Sequence, residues 1–252
     1  MALRPYIVGN WKMNGTRAAL AEARAIDRIA QRHPGVEVAL TPPATLILAM
    51  ASELSHAIVG AQTCHTEPAG AFTGEISAPM LADAGARFVL AGHSERRWLF
   101  GESDSLVRAK AEAALAAGLE VIVCVGENET QRLAGQAESV VTAQLMASLP
   151  QGDGAALHVS IGYEPVWAIG TGRVATVQDV SAMHRTIRAA LVDAYGAAGG
   201  LVRIVYGGSV TGENAASLLA ADEVGGALVG GASLTADRFA GIIAAAAALV
   251  EA

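Results

Sequence analysis

The sequence is short of lysine, cysteine and charge, and it has no long apolar run. Each shortage excludes something. The longest uninterrupted apolar stretch, residues 242–250, is too short to cross a bilayer. The opening run Met1-Ala2-Leu3-Arg4-Pro5 lacks the charged and apolar regions of a secretory signal, so the cytoplasm is the expected location. Only two cysteines occur, Cys64 and Cys124, far apart, and no His/Cys cluster has metal-ligand spacing. Reduced, buried thiols are therefore expected, with no disulfide and no metal site. Charged residues make up 16% of the chain and the formal net charge is −7, which disfavours nucleic acid or an anionic membrane as a partner. An anionic ligand would have to be held by local positive features. No Ser/Gly/Pro-rich spacer, charge block or low-complexity tract divides the 252 residues, so one domain over 1–252 is expected.

What is present is apolar and repetitive. Hydrophobic residues reach 52%, much of it alanine spread over helical stretches, and a domain of this size can bury a large core. Of 17 basic residues only Lys12 and Lys110 are lysines. Where arginine serves almost everywhere, a retained lysine marks a need for a compact, freely rotating ammonium. That singles out Lys12. Lys110 sits in an Ala/Glu helical stretch and reads as part of a solvated face.

Short β-branched runs alternate with longer helical stretches. The pattern predicts strands at 6–9, 36–41, 58–62, 88–91, 121–125, 158–163, 202–206 and 227–229. It predicts helices including 16–32, 103–117, 128–149, 176–198 and 233–250. Strands that are apolar throughout suit a parallel sheet buried on both faces. About eight β–α alternations match a closed (β/α)8 barrel, an α/β fold. A doubly wound open sheet is the alternative, but no Gly-x-Gly-x-x-Gly comes after the first strand.

In such a barrel chemistry sits where strands end. After the first strand come Asn10, Trp11 and Lys12, and strand alternation would aim Asn10 and Lys12 into the mouth. After the fourth comes Gly92-His93-Ser94, with Ser94 a plausible helix N-cap. A helix N-terminus lowers a histidine's pKa and favours neutral imidazole, which can donate to adjacent carbonyl oxygens in turn. The other histidines, His33, His56, His65, His158 and His184, read as surface or satisfied core. After the sixth strand, Glu164 ends an apolar run, where desolvation would raise its pKa toward that of a working base. Pro165, Val166, Trp167, Ala168, Ile169, Gly170 and Thr171 come next, stiff at one end and glycine-softened at the other. This segment is either a lid with apolar residues that exclude water or an ordinary loop that packs. After the seventh and eighth strands come Gly207-Gly208-Ser209 and Gly230-Gly231-Ala232-Ser233, glycine turns whose N–H groups can approach an anion. A carboxylate, an imidazole, an ammonium, an amide, an anion grip and a lid suit proton transfer α to a carbonyl.

These same segments carry a family resemblance. Asn10-Trp11-Lys12-Met13-Asn14-Gly15, Ala91-Gly92-His93-Ser94-Glu95-Arg96-Arg97, the run from Tyr163 to Gly172, Tyr206-Gly207-Gly208-Ser209-Val210 and Leu228-Val229-Gly230-Gly231-Ala232-Ser233-Leu234 resemble triosephosphate isomerases, in order over nearly the whole chain. The family is itself the standard worked example of a carboxylate base and neutral imidazole under a closing loop. The resemblance implies a cofactor-free isomerase of glycolysis and gluconeogenesis interconverting glycerone phosphate and glyceraldehyde 3-phosphate. It implies Glu164 as base, His93 as electrophile, Lys12 and Asn10 on substrate oxygens, and Glu95 as the acidic partner of Lys12 and a dimer contact. It implies phosphate on Gly170, Ser209, Gly230 and Gly231, with Ile169 and Leu228 clamping Glu164. Cys124 resembles the family's structural cysteine beside the site. The stretch from Gln62 to Glu75 resembles an interface loop, implying a homodimer in which Thr73 reaches the neighbour's Asn10 region. Gly162 and Gly225 depart from the family pattern, where alanine and a polar residue are expected. Rival readings are an isomerase of a four-carbon ketose phosphate, a non-catalytic sugar-phosphate-binding barrel and another phosphate-binding barrel such as a synthase.

Overall fold

The computed structural model describes residues 4–152, 154–169 and 173–251. The strands are β1 (Tyr6–Asn10), β2 (Glu37–Thr41), β3 (Ile58–Val59), β4 (Phe88–Ala91), β5 (Glu120–Val125), β6 (Val159–Tyr163), β7 (Arg203–Tyr206) and β8 (Gly226–Val229). They form one parallel sheet in the order β3-β2-β1-β8-β7-β6-β5-β4. Its two ends meet: Ala61, just past β3, pairs in parallel with Val89 of β4, donating to the Phe88 carbonyl at 2.9 Å. The sheet is therefore a closed (β/α)8 barrel, and the open-sheet alternative falls away.

Alternation along each strand sorts side chains into two cores. Tyr6, Val8, Phe88, Leu90, Ile122, Cys124, Val205 and Leu228 fill the barrel interior. Ile7, Val89, Val121, Ile161 and Ile204 face outward and pack under the helices. That double burial is why the strands lack polar alternation.

The predicted strands recur within a residue or two, except that 58–62 forms a ladder only over Ile58–Val59. The Phe88 ring lies where a side chain on Gly60 would stand, so only glycine fits there. The expected helix over 128–149 is two, Glu129–Leu133 and Ala137–Ser148, parted at Gly135 with φ of 70°. Helices Ala44–Glu53, Ala78–Asp83 and Ala215–Leu219 were not predicted. The first is apolar nearly all round, and the others are too short to establish a 3.6-residue period.

Lys110 corrects the sequence reading. It is buried, not on a solvated face, and its Nζ donates to Glu102 Oε1 at 2.6 Å and to Thr63 Oγ1 at 2.9 Å. Arg96 Nε meets the same Glu102 oxygen at 2.5 Å, so two cations neutralise one buried carboxylate and hold it below its ordinary pKa against burial. Both cysteines are buried and free, and burial pushes the Cys64 thiol up to about 11. The departure at Gly225 also finds a reason. A Cβ there would stand 2.7 Å from Arg203 Cγ, whose guanidinium lies 4.8 Å over the Tyr6 ring and bonds Glu37 at 3.2 Å.

The parallel strands all end at one rim. Arg97 braces that rim, donating to the carbonyls of Gly92 (2.8 Å) after β4 and Cys124 (3.0 Å) in β5. Behind it, His184 stacks edge-on against Tyr163 with centroids 5.8 Å apart and bonds the Glu223 carbonyl through Nδ1. Burial drives its pKa from 6.5 down to about 4. The folded state thus resists a proton that the unfolded chain accepts, and its contribution is full above pH 6.5 and lost as pH falls toward 4. That loss amounts to about 3 kcal/mol. Urea unfolding of His184→Gln is expected to show a shallower fall in stability than the parent across this window. Parallel pH dependences in the two proteins would contradict the assignment.

Candidate active site

Glu164 is the first residue beyond β6. Its N–H is tied to the Val125 carbonyl at 2.8 Å, so the backbone of β5 fixes where the side chain begins. The side chain is buried. Oε2 accepts from the Ser94 N–H at 2.8 Å, and Oε1 lies 2.9 Å from His93 Nε2. His93, not the expected Ser94, is the N-cap of the helix Ser94–Phe100: its Nδ1 accepts from the Glu95 N–H at 3.2 Å. An accepting Nδ1 carries no proton, so Nε2 bears the single imidazole hydrogen and donates it to Glu164. The tautomer that this contact selects presents Nε2–H toward Glu164 and the cleft.

The directions of the pKa shifts differ from those expected from the sequence. Burial pushes Glu164 up, but His93, the Ser94 N–H and Lys12 together hold it below the ordinary carboxylate range. Burial pushes His93 down, yet the adjacent Glu164 charge and hydrogen bond leave it above its ordinary value. Desolvation does act on both groups, but the two side chains rest on each other, and that mutual contact opposes it in both.

Lys12 takes φ of 51°, so the strand direction ends before it and simple alternation does not place it. A left-handed non-glycine residue costs on the order of 1 kcal/mol. The turn is tied on several sides: Asn10 Oδ1 accepts from the Lys12 N–H at 3.0 Å, Gln62 Nε2 donates to the Lys12 carbonyl at 2.7 Å, and Trp11 Nε1 donates to the Ser233 carbonyl at 3.0 Å. Lys12 Nζ then pairs with Glu95 Oε1 at 2.5 Å. Asn10 and Lys12 still face the same cleft.

That cleft has a volume of about 690 Å³ and is lined by Asn10, Lys12, His93, Glu164, Ile169, Leu228 and the two glycine turns, including Ser209, Gly230 and Gly231. Close packing explains part of the glycine. A Cβ on Gly208 would stand 2.0 Å from the Tyr206 hydroxyl, and one on Gly207 would stand 2.8 Å from Glu164 Cγ. A Cβ on Gly231 would meet nothing within 4 Å, so its backbone stands open to an approaching group.

Beyond Glu164, Pro165 leads into a 3-10 turn, Val166–Ala168. Trp167 Nε1 donates to the buried Glu127 at 2.8 Å, and the Arg132 guanidinium lies 4.4 Å over the Trp167 ring. Ala168 is buried and Ile169 faces the cleft. Gly170, Thr171 and Gly172 lie outside the described residues. Thr73 is exposed and does not line the cleft. Glu127 and Arg132 escaped the sequence reading, although Glu127 stands two residues past β5 and the strand-end rule would have found it. Cys124 lies against Glu164, its thiol pushed well up by burial and by that charge. Among the described residues no group of three or more His, Cys, Asp or Glu side chains could hold a metal ion.

Gly207→Ala is expected to displace the Glu164 side chain and to lower kcat about 10-fold or more, a loss of roughly 1.4 kcal/mol in barrier terms. Steady-state kinetics on the folded variant check this, and unchanged kcat would show that the contact does not set the position of Glu164.

The family model described as triosephosphate isomerase matches residues 5–246. A triosephosphate isomerase of Caulobacter vibrioides is 54% identical over 96% of both chains. That of Granulibacter bethesdensis is 52% identical over 97% of this chain and all of its own. The crystal structure of triosephosphate isomerase from Bartonella henselae superposes with a TM-score of 0.89, at 44% identity, over 96% of this chain and 99% of that one.

Proposed function

Because the chain belongs to the triosephosphate isomerase family, we propose that its strand-end cleft interconverts glycerone phosphate and D-glyceraldehyde 3-phosphate through an enediolate, with Glu164 as the base. The observation that supports this most is the meeting of Glu164 and His93 at 2.9 Å in a cleft shared with Lys12. Glu164 takes the proton from one carbon and returns it to its neighbour. His93 donates Nε2–H to the oxygen on which charge develops, while Lys12 and Asn10 hold the substrate oxygens. The Ser209, Gly230 and Gly231 backbone, with Gly170, grips the phosphate and converts remote binding into rate. No cofactor enters this scheme.

The base must leave its present partners to reach carbon. In doing so Glu164 gives up the Ser94 N–H and the His93 hydrogen bond, which lower its pKa, and keeps the burial that raises it. Its basicity therefore rises as it moves. His93 loses the carboxylate that raised its pKa, while burial and Lys12 continue to lower it. The imidazole thus stays neutral and a good donor. Residues 165–171 act as the lid, with Trp167 released from Glu127 as it closes. Ile169 and Leu228 then press on the carboxylate and exclude water.

On this proposal residues 1–252 form one catalytic unit, acting in the cytoplasm as a homodimer. Met13, Phe72, Trp98, Leu99 and Phe100 are exposed, apolar surface that a neighbouring subunit would cover, and the loop carrying Thr73 would seat against the neighbour's Asn10 region. Sedimentation of Thr73→Arg is expected to show monomers with reduced activity. A dimer of parental strength would remove this loop from the interface.

Glu164→Gln is expected to abolish turnover while phosphate-ligand binding stays within about tenfold, 1.4 kcal/mol. Lys12→Arg is expected to be severely impaired, since a planar fork cannot replace an ammonium in this tied turn. A coupled assay with three- and four-carbon ketose phosphates checks both variants and the substrate together. Near-parental rates in either variant, or preference for the four-carbon compound, would contradict the assignment.

A further inference from the structure

The cleft extends beyond the parts assigned above. Past the glycine turns it is lined by Thr211, Glu213, Asp237 and Arg238, on the turn after β7 and the first residues of the helix Ala236–Glu251. Its volume falls in the range that holds ligands much larger than a three-carbon phosphate. Among the described residues the lining carries three acids, Glu164, Glu213 and Asp237, against two cations, Lys12 and Arg238. Lys12 is already paired with Glu95 at 2.5 Å. Arg238 is exposed and, among the described residues, makes no ion pair or side-chain hydrogen bond. It is thus the lining cation whose charge is not spent within the protein.

A phosphorylated substrate is a dianion, and the chain as a whole is −7, so its global field repels what it must bind. From this geometry we infer that Arg238 is a recruiting cation: it attracts the substrate's phosphate to the outer lip and hands it to the glycine turns. This deepens the proposed function and rests on it. Arg238 touches no reacting atom and acts on encounter, so its effect belongs in kcat/KM and not in kcat. Because it works through charge and not through a fork-shaped contact, lysine should replace it.

The test is steady-state isomerisation by the parent and by Arg238→Ala, Arg238→Glu and Arg238→Lys at low and high salt. At ~0.01 M ionic strength, where the screening length is about 30 Å, kcat/KM is expected to fall about threefold in the alanine variant and about tenfold in the glutamate variant. The lysine variant should match the parent, and kcat should be unchanged throughout. At ~1 M, where screening acts within about 3 Å, the four proteins should converge. Turnover of unphosphorylated glyceraldehyde, which carries no charge to steer, should be equal in all four at either salt. An Arg238→Glu protein with parental kcat/KM at low salt would overturn the inference, as would an equal loss on the uncharged substrate. A parent with no isomerase activity would instead overturn the functional reading on which it rests.

Discussion

The active site depends on one contact, the Glu164 carboxylate resting between the Ser94 N–H and His93 Nε2. It joins the ends of β4 and β6, which are not neighbours in the sheet. It makes the carboxylate a weaker base than burial alone would leave it, and it makes the imidazole more basic. On the proposed mechanism both effects would reverse as the carboxylate leaves these partners. A base that is quiet at rest and strengthens on reaching carbon needs only two pieces of machinery: a place to rest and a dry place to act. The first is visible here. The second would be supplied by Ile169, Leu228 and the lid.

The barrel makes that contact possible by keeping the backbone close. A Cβ on Gly126 would lie 1.7 Å from the Glu164 carbonyl oxygen, so β5 and β6 can run side by side at the rim only with glycine there. Gly207 stands similarly close to Glu164 Cγ from the other side. Glu164 is thus held between two glycine positions, with Val125 bonding its backbone from below. The tied turn at Lys12 obeys the same logic. Its left-handed residue is tolerated because Asn10, Gln62 and Trp11 each fix one side of it, and the result is an ammonium already paired and aimed.

Much of this was legible in the sequence, because a parallel barrel writes its site at strand ends. Asn10, Lys12, His93, Glu164 and both glycine turns each stand just past an apolar run, and all of them line the cleft. The features that escaped depend on partners that sequence position does not reveal. Lys110 looked solvent-facing because its acid, Glu102, lies eight residues away across a helix start. The cap at His93 was assigned to Ser94 because a histidine rarely caps, and only the Glu95 N–H reveals it. The directions of the Glu164 and His93 shifts were misjudged because each group supplies the other's largest opposing influence after burial. The role of Gly225 could not be read without Arg203 lying across it.

The central claim is that a proton, handled by a protein base, moves between neighbouring carbons. Isomerising glyceraldehyde 3-phosphate in deuterium oxide tests it most directly, with the product's label read by NMR. A carboxylate that holds the proton between removal and return exposes it to exchange, so deuterium is expected at C1 of glycerone phosphate. A product formed at full rate with no deuterium at that carbon, and at an undiminished rate by Glu164→Gln, would mean that hydrogen passes directly from carbon to carbon, and would contradict the role given to Glu164.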